Sequence, residues 1–195
     1  DAALMGARGN SGIIFAQFLY GFSSYIQDIE DISVEKFSNA LKEAVKFSYE
    51  AISNPVEGTM ITVMREWAEA IDKLQGKFDD FNELIIASLK DAQSSLAATP
   101  EKLEILRKKK VVDAGGKAFV HFLEGMIGFF KHGDIKSILK NRNVVKVENL
   151  NDNISHEEVN FRYCTEALLL LDESRPELKE IIRSKIDFLG DSLVI

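Results

Sequence analysis

Apolar residues recur at three- and four-residue intervals along most of the first 140 positions of this 195-residue chain. Such spacing puts them on one face of an α-helix, whereas a half-buried strand would alternate at every second residue. Six helices are predicted, at 11–26, 34–52, 59–74, 80–98, 102–109 and 117–131. Because no convincing strand pattern interrupts them, the sequence predicts an all-α bundle over this part of the chain.

Capping and turn residues support these helix boundaries. Ser33 is expected to cap the second helix, and Pro55 ends it because the residue before a proline disfavours helical geometry. Gly76 is expected to end the third helix and Gly133 the last. Gly21 lies inside the first helix, where a glycine costs stability relative to alanine.

The pattern changes after position 140. Residues 141–158 are rich in Asn and Asp, which is the composition of a linker. Beyond them, 159–171 and 190–195 are predicted strands and 176–188 is a predicted amphipathic helix. This is typical of the beginning of a small α/β domain that is too short to bury its own core. The chain is expected to be truncated at both ends and to divide into three parts, 1–140, 141–158 and 159–195.

The composition argues against several classes of protein. Lys and Arg number 24 against 31 Asp and Glu, and the formal charge of −7 argues against a nucleic-acid-binding protein. No run approaches the ~18 apolar residues that a membrane-spanning helix needs, and no secretory signal opens the chain. The single cysteine, Cys164, cannot form an internal disulfide. A cytoplasmic protein without an integral membrane segment is therefore expected.

The strongest chemical signal is the stretch GARGNSG at 6–12, directly before the first predicted helix. Its three glycines let the backbone approach a ligand closely, and the helix start and the Ser11 hydroxyl would offer donors to a phosphate. It is not a P-loop, because the Gly-Lys pair and the preceding strand are both missing. The alternative is an ordinary turn in which Ser11 caps the helix. Spacing alone leaves both interpretations open.

Two further glycine-bearing turns also precede predicted helices. Thr59 follows the turn NPVEG at 54–58, and Asp113 precedes the pair of glycines at 115–116. Taken singly, each of these polar residues is best explained as a helix cap. Taken together with 6–12, they predict three turns that gather at one end of the bundle and hold a polyanion.

Four motifs carry a resemblance to a known family: DAALMGARGNSG at 1–12, PVEGTMITV at 55–63, TPE at 99–101 and VVDAGG at 111–116. In this order and spacing they resemble the bacterial fatty acid kinase A subunit. The N-terminal domain of that family is similar to the DhaL-like, ATP-binding domain of dihydroxyacetone kinases. The resemblance implies an α-helical barrel that binds ATP or ADP with Mg²⁺ at one end.

The resemblance also implies a reaction and a partner. ATP would phosphorylate the carboxylate of a fatty acid that a separate fatty-acid-binding protein presents. A dihydroxyacetone-type sugar kinase is the near alternative, and a non-catalytic helical module that binds nucleotide or a partner protein is the distant one. The second, α/β part of the chain favours the fatty acid kinase. A homodimer is one of the oligomeric states that the sequence leaves open.

Site residues follow from the resemblance position by position. The residues implied to bind the nucleotide come from the three turns: Gly9, Asn10, Ser11, Gly12, Thr59, Met60, Asp113, Ala114 and Gly115. Those of the first turn would face the phosphates and those of the second would line the pocket. Those of the third would close its other side.

The same resemblance indicates where metal ions bind in the whole protein. The family holds two Mg²⁺ with an aspartate-rich loop several dozen residues upstream of 6–12, and nothing in this sequence corresponds to it. Because phosphoryl transfer relies on metal ions to neutralise and align the phosphates, no catalytic residue and no activity are expected of this chain alone. Cys164 matches a cysteine that binds a metal such as Zn²⁺ together with histidines beyond position 195.

Overall fold

The computed structural model describes residues 2–78, 80–133 and 176–190 together with positions 165, 167 and 193. Within these residues the chain is almost entirely helical and contains no strand, so the predicted mainly α fold is confirmed. Its helices are α1 (Ala2–Gly6), α2 (Gly9–Ile26), α3 (Val34–Glu50), α4 (Met60–Leu74), α5 (Phe81–Ala97), α6 (Thr99–Lys102), α7 (Glu104–Lys109), α8 (Ala114–His132) and α9 (Pro176–Ile186). No helix of this described part is both long enough and apolar enough to cross a bilayer.

Helix α4 lies at the centre of the bundle, packed against α3, α5 and α8. Its large apolar residues Ile61, Met64, Trp67 and Ile71 are all buried. The indole N–H of Trp67 donates to Ser88 Oγ of α5 at 2.9 Å, so the polar atom of this large side chain is satisfied. Helix α4 therefore provides the scaffold against which the other helices are placed.

Edge-to-face aromatic pairs join α8 to α2 and to α4. The ring of Phe119 lies 5.6 Å from the ring of Trp67 and 5.6 Å from that of Phe18, measured between centroids. Phe15 lies 5.1 Å from Phe122 in the same way. Such pairs contribute about 0.5–1.5 kcal/mol each beyond the area they bury. They hold the first halves of α2 and α8 next to each other.

Helix α2 crosses α3 closely at Gly21, the residue expected to weaken the helix. A Cβ at position 21 would lie 2.9 Å from Phe47 Cβ and 3.0 Å from both Ala44 Cα and Glu43 O. Contacts this short do not occur in close-packed interiors, so the two helices can approach only because position 21 has no side chain. The close packing of α2 against α3 therefore explains why position 21 is a glycine.

Most predicted helix boundaries agree with the structure to within two residues. As expected, Ser33 caps α3 with a hydroxyl that accepts the Lys36 N–H at 3.2 Å. The short helix predicted over 102–109 is α7, which begins two residues later than expected because the backbone at Leu103 is extended (φ −127°, ψ 111°) and separates it from α6.

The start of α8 also differs from the expected one. The helix begins at Ala114 and not at 117, so both glycines of the motif lie in its first turn. The reason is local: the Asp113 carboxylate accepts the Gly116 N–H at 2.6 Å, and a cap at this position starts the helix before the glycines.

Helix α9 agrees with the helix predicted at 176–188. The Arg183 guanidinium donates to Glu50 O at 2.8 Å, and the Ser53 N–H donates to Leu193 O at 3.1 Å.

The predicted linker and most positions of the two predicted strands lie outside the described residues. The boundaries of the three expected parts therefore stay a prediction.

Candidate functional site

The starts of α2, α4 and α8 meet around Gly115. A Cβ on this glycine would lie 3.0 Å from Ser11 Oγ, 3.1 Å from Met60 Cβ and 3.2 Å from Asp113 Oδ2. One point in space is thus within 3.2 Å of residues from all three predicted turns. We call residues 9–12, 59–60 and 113–115 the three-turn cluster.

The α2 start presents its polar side chains to solvent. Asn10 and Ser11 are both exposed, and they follow Gly9, whose φ is 66°. The N-cap position is Arg8, and among the described residues its side chain makes no capping hydrogen bond to the helix. The alternative in which Ser11 caps this helix is wrong, because Ser11 lies inside its first turn.

The turn before α4 is held by hydroxyl groups. Gly58, with φ 84°, donates its N–H to Thr62 Oγ1 at 2.9 Å, and that hydroxyl donates to Glu57 Oε2 at 2.7 Å. The Thr59 hydroxyl donates to Val56 O at 2.8 Å. Thr59 therefore occupies the N-cap position of α4, as expected. Its side chain, however, makes no capping hydrogen bond to the described residues of the helix.

Asp113 caps α8, as its place before the glycine pair predicts. Its Oδ2 accepts the Gly116 N–H at 2.6 Å, and its own N–H donates to Thr99 Oγ1 at 3.1 Å. A carboxylate at a helix N-terminus is favoured by the helix dipole. The α8 start is consequently held by two hydrogen bonds that involve its capping residue.

Behind the α4 start, an ion-pair network holds the Glu57 carboxylate. Arg65 Nη2 lies 2.9 Å from Glu57 Oε2, and the Tyr49 hydroxyl donates to Glu57 Oε1 at 2.8 Å. Partial burial works to raise the pKa of Glu57, but its hydrogen bonds with Thr62 and these two partners lower it overall. A charged carboxylate therefore ties the turn before α4 to both α3 and α4.

This geometry suits a polyanion. Backbone N–H groups in the first turn of a helix have no acceptor within the helix, and the helix dipole adds partial positive charge there. Three such helix starts meet at the cluster. Asn10, Ser11 and Ala114 are exposed, so a ligand can reach this place from solvent. The cluster can donate hydrogen bonds to phosphate oxygens from several directions.

Metal-binding side chains are not gathered in the same way. Across the described part of the chain, no group of three or more His, Cys, Asp or Glu residues is placed to hold a metal ion. Cys164, the expected zinc ligand, lies outside the described residues. A cleft of about 480 Å³ lies beside α1 and α2, and one of about 310 Å³ lies between α3 and α4. Residues of the three-turn cluster line neither of these two clefts. The cluster is recognised instead by the meeting of three helix starts.

Comparison with known sequences identifies the family. A family model described as the DAK2 domain matches residues 1–128, which contain all three helix starts of the cluster. The chain belongs to the DAK2 domain family. A DAK2 domain is a nucleotide-binding module of the dihydroxyacetone kinase type, and the family is associated with kinase activity.

Relatives of this DAK2 domain occur in Bacillus and Staphylococcus. Protein YloV of Bacillus subtilis (strain 168) is 35% identical over 199 residues, and an uncharacterized protein of Staphylococcus saprophyticus is 34% identical over 197 residues. Each comparison covers 98% of this chain and 36% of the relative. The chain thus spans 36% of the length of these curated relatives.

Glu57 and Thr99, which support the cluster of this DAK2 domain, lie in two of the four motifs, but residue spacing did not predict their contacts. Arg65 pairs with Glu57 eight positions away across a turn, and Thr99 pairs with Asp113 fourteen positions away. Side-chain pairs can be read from spacing only within one helix, at three or four residues. Spacing therefore carried no signal for which residues these two side chains contact.

Proposed function

We propose that the three-turn cluster of this DAK2 domain binds ATP or ADP, with the phosphates against the helix starts. The supporting observation is the meeting of Ser11, Met60 and Asp113 around Gly115, in a family of nucleotide-binding modules. Residues 9–12 contact the phosphates, 59–60 line the pocket, and 113–115 close its other side. A methyl group at position 115 would occupy the space between the turns, so the glycine fits a close-approach site.

The whole protein, in this proposal, is a kinase subunit that phosphorylates a fatty acid presented by a separate fatty-acid-binding protein. A carboxylate oxygen of the fatty acid attacks the γ-phosphorus of ATP and forms an acyl phosphate. The bond from that phosphorus to the β,γ-bridging oxygen breaks, and ADP leaves with the electron pair. The α/β part predicted at 159–195 supports this substrate over dihydroxyacetone, because the sugar kinases need no such extension of the ATP-binding domain.

Magnesium, when bound, supplies charge neutralisation to the phosphates. The described residues do not fit a Mg²⁺ site, because Asp113 is the single carboxylate of the cluster and its Oδ2 already accepts the Gly116 N–H. The magnesium ligands are therefore proposed to belong to the whole protein outside this chain. Cys164 is proposed as one ligand of a Zn²⁺ ion whose other ligands lie beyond position 195.

The proposal extends to the organisation of the chain. Residues 1–140 form the nucleotide-binding domain, 141–158 a linker and 159–195 the beginning of an α/β domain. The single cysteine favours a reducing compartment such as the cytoplasm. A homodimer is the alternative to a monomer, and light scattering distinguishes the two.

Calorimetry with ADP and Mg²⁺ on the whole protein tests the binding site. Replacing Asn10→Ala together with Ser11→Ala is expected to weaken binding at least about tenfold, because a lost hydrogen bond to a charged ligand costs about 1.5–3 kcal/mol. The matched control is Ser23→Ala with Ser24→Ala, since both serines are exposed on the same helix at its other end. Unchanged affinity in the first double variant would remove Asn10 and Ser11 from the site.

A product assay with the whole protein separates the candidate reactions. Acyl phosphate, trapped with hydroxylamine, is expected when ATP and the fatty acid on its binding protein are supplied. Dihydroxyacetone phosphate as the product would establish the sugar kinase, and nucleotide binding without either product would establish the non-catalytic module. The 195-residue chain alone is expected to show no ATP turnover, and measurable turnover would mean that the metal site lies within it.

A further inference from the structure

Thr99 is a buried hydroxyl residue that lies between two of the three turns. It is 0% exposed and stands where α6 begins, directly after α5. Its Oγ1 donates to Leu96 O at 2.7 Å and accepts the Asp113 N–H at 3.1 Å. The capping residue of α8 is thereby tied to the junction of α5 and α6.

The same junction packs on the turn before α4. A Cβ on Gly58 would lie 3.0 Å from Thr99 O and 3.0 Å from Lys102 Cβ, so α6 is in direct contact with this turn. The Lys102 ammonium also forms an ion pair with Glu66 of α4. Helix α6 is therefore fixed to α4 on one side and, through Thr99, to the α8 start on the other.

We propose that Thr99 is a positioning residue that sets the spacing between the α4 start and the α8 start. The inference rests on the proposed nucleotide site. Thr99 is buried and does not reach the ligand, but it holds the Asp113 turn against the Met60 turn so that donors from both face the same phosphates. Without the Thr99 hydroxyl, the Asp113 N–H loses its acceptor and the turn shifts, because a partly buried donor without an acceptor is costly.

The chain offers a matched control in Ser88. This residue is also 0% exposed, its Oγ donates to Ile85 O three positions back at 2.9 Å, and it accepts the Trp67 indole N–H at 2.9 Å. Thr99 makes the same two kinds of hydrogen bond. The donor that depends on Ser88 lies in the core, whereas the donor that depends on Thr99 lies in the cluster. Ser88→Ala therefore measures the effect of losing such a hydroxyl on stability alone.

The test compares Thr99→Val, Thr99→Ser and Ser88→Ala in the whole protein by ADP calorimetry and urea unfolding. Thr99→Val is expected to weaken ADP binding about tenfold, and Thr99→Ser to keep the affinity within about threefold of the wild type. Ser88→Ala is expected to lower stability with the affinity unchanged. Unchanged affinity in Thr99→Val, or an equal loss in Ser88→Ala, would overturn the positioning role. If Thr99→Val does not fold, the ADP affinity of Thr99→Ser is the deciding measurement. This variant keeps the hydroxyl, so a large loss of affinity in it would also overturn the positioning role.

Amide hydrogen exchange separates failure of this inference from failure of the nucleotide site, because it requires no ligand. The Asp113 amide is expected to exchange slowly in the wild type and faster in Thr99→Val, but not in Ser88→Ala. If the wild type binds no nucleotide and exchange follows this pattern, the proposed function fails and the positioning role stands. If the wild type binds ADP and the Asp113 amide exchanges rapidly, the positioning role fails.

Discussion

The starts of α4 and α2 both belong to the three-turn cluster, but they differ in how far their polar groups are held by hydrogen bonds and buried contacts. The turn before α4 is joined by hydrogen bonds among Gly58, Thr62 and Glu57, and Gly58 is buried against α6. The α2 start presents Asn10 and Ser11 to solvent. On one side of the cluster the polar groups are held by buried contacts with the bundle before a ligand arrives, whereas on the other side Asn10 and Ser11 are open to solvent.

This difference suits a site that must be both accurate and accessible. Donors that are fixed in advance reduce the ordering that binding requires, and an exposed segment leaves room for the ligand to enter. The α8 start belongs with the supported side, because Asp113 is tied to Gly116 and Thr99. Damage to the supported side should therefore lower both stability and affinity, whereas damage to the α2 start should lower affinity alone.

The largest effect is expected from Gly58→Ala, which breaks the supported side. Alanine at φ 84° is strained, and its Cβ would lie 2.9 Å from Leu103 Cβ and 3.0 Å from Thr99 O. Left-handed strain costs about 1–2 kcal/mol and overpacking about 1–3 kcal/mol, so urea unfolding should show a loss of about 3 kcal/mol.

Gly76→Ala is the control for that substitution. Its φ is 75°, but no described residue lies within 4 Å of the added Cβ, so the loss should be only about 1 kcal/mol. Equal losses at positions 58 and 76 would show that contact with α6 does not hold the turn before α4. The supported side would then differ from the α2 start in exposure alone.

Gly115→Ala tests the point where the two sides meet. Replacing a helical glycine would by itself stabilise the chain by about 0.5–1 kcal/mol, but this methyl would press on Ser11 Oγ and Met60 Cβ. A net loss of about 1 kcal/mol is expected by urea unfolding, with ADP affinity at least about tenfold lower by calorimetry. Gly125→Ala, in the same helix with no described residue within 4 Å, should stabilise by about 0.5–1 kcal/mol. A gain in stability at both positions would mean that the cluster is not crowded.

The difference between local and long-range contacts explains what could be predicted from the sequence. Helix positions and the caps Ser33 and Asp113 depend on residues within a few positions, and local patterns predicted them. Ser11, the alternative cap of α2, lies inside the helix because the backbone turns at Arg8, and Thr59 occupies the N-cap position of α4 while its hydroxyl donates to Val56 O. The convergence of the three turns rests on how whole helices pack, and spacing could only suggest it.

The smallest effect is expected from pH, through the carboxylate that anchors the α4 start. The pKa of Glu57 in the folded chain lies below its ordinary value of 4.5, so folding favours the charged form. The stability that follows from this is fully present above pH 4.5 and is lost as the pH falls through the folded-state pKa. Glu57→Gln removes the titrating group, so its unfolding free energy should fall less steeply than that of the wild type in acid. An NMR titration of the Glu57 carboxyl carbon checks the sign directly. A midpoint at or above the ordinary value would mean that burial offsets the hydrogen bonds from Thr62, Tyr49 and Arg65, and that the charge of Glu57 adds no net stability to the α4 start.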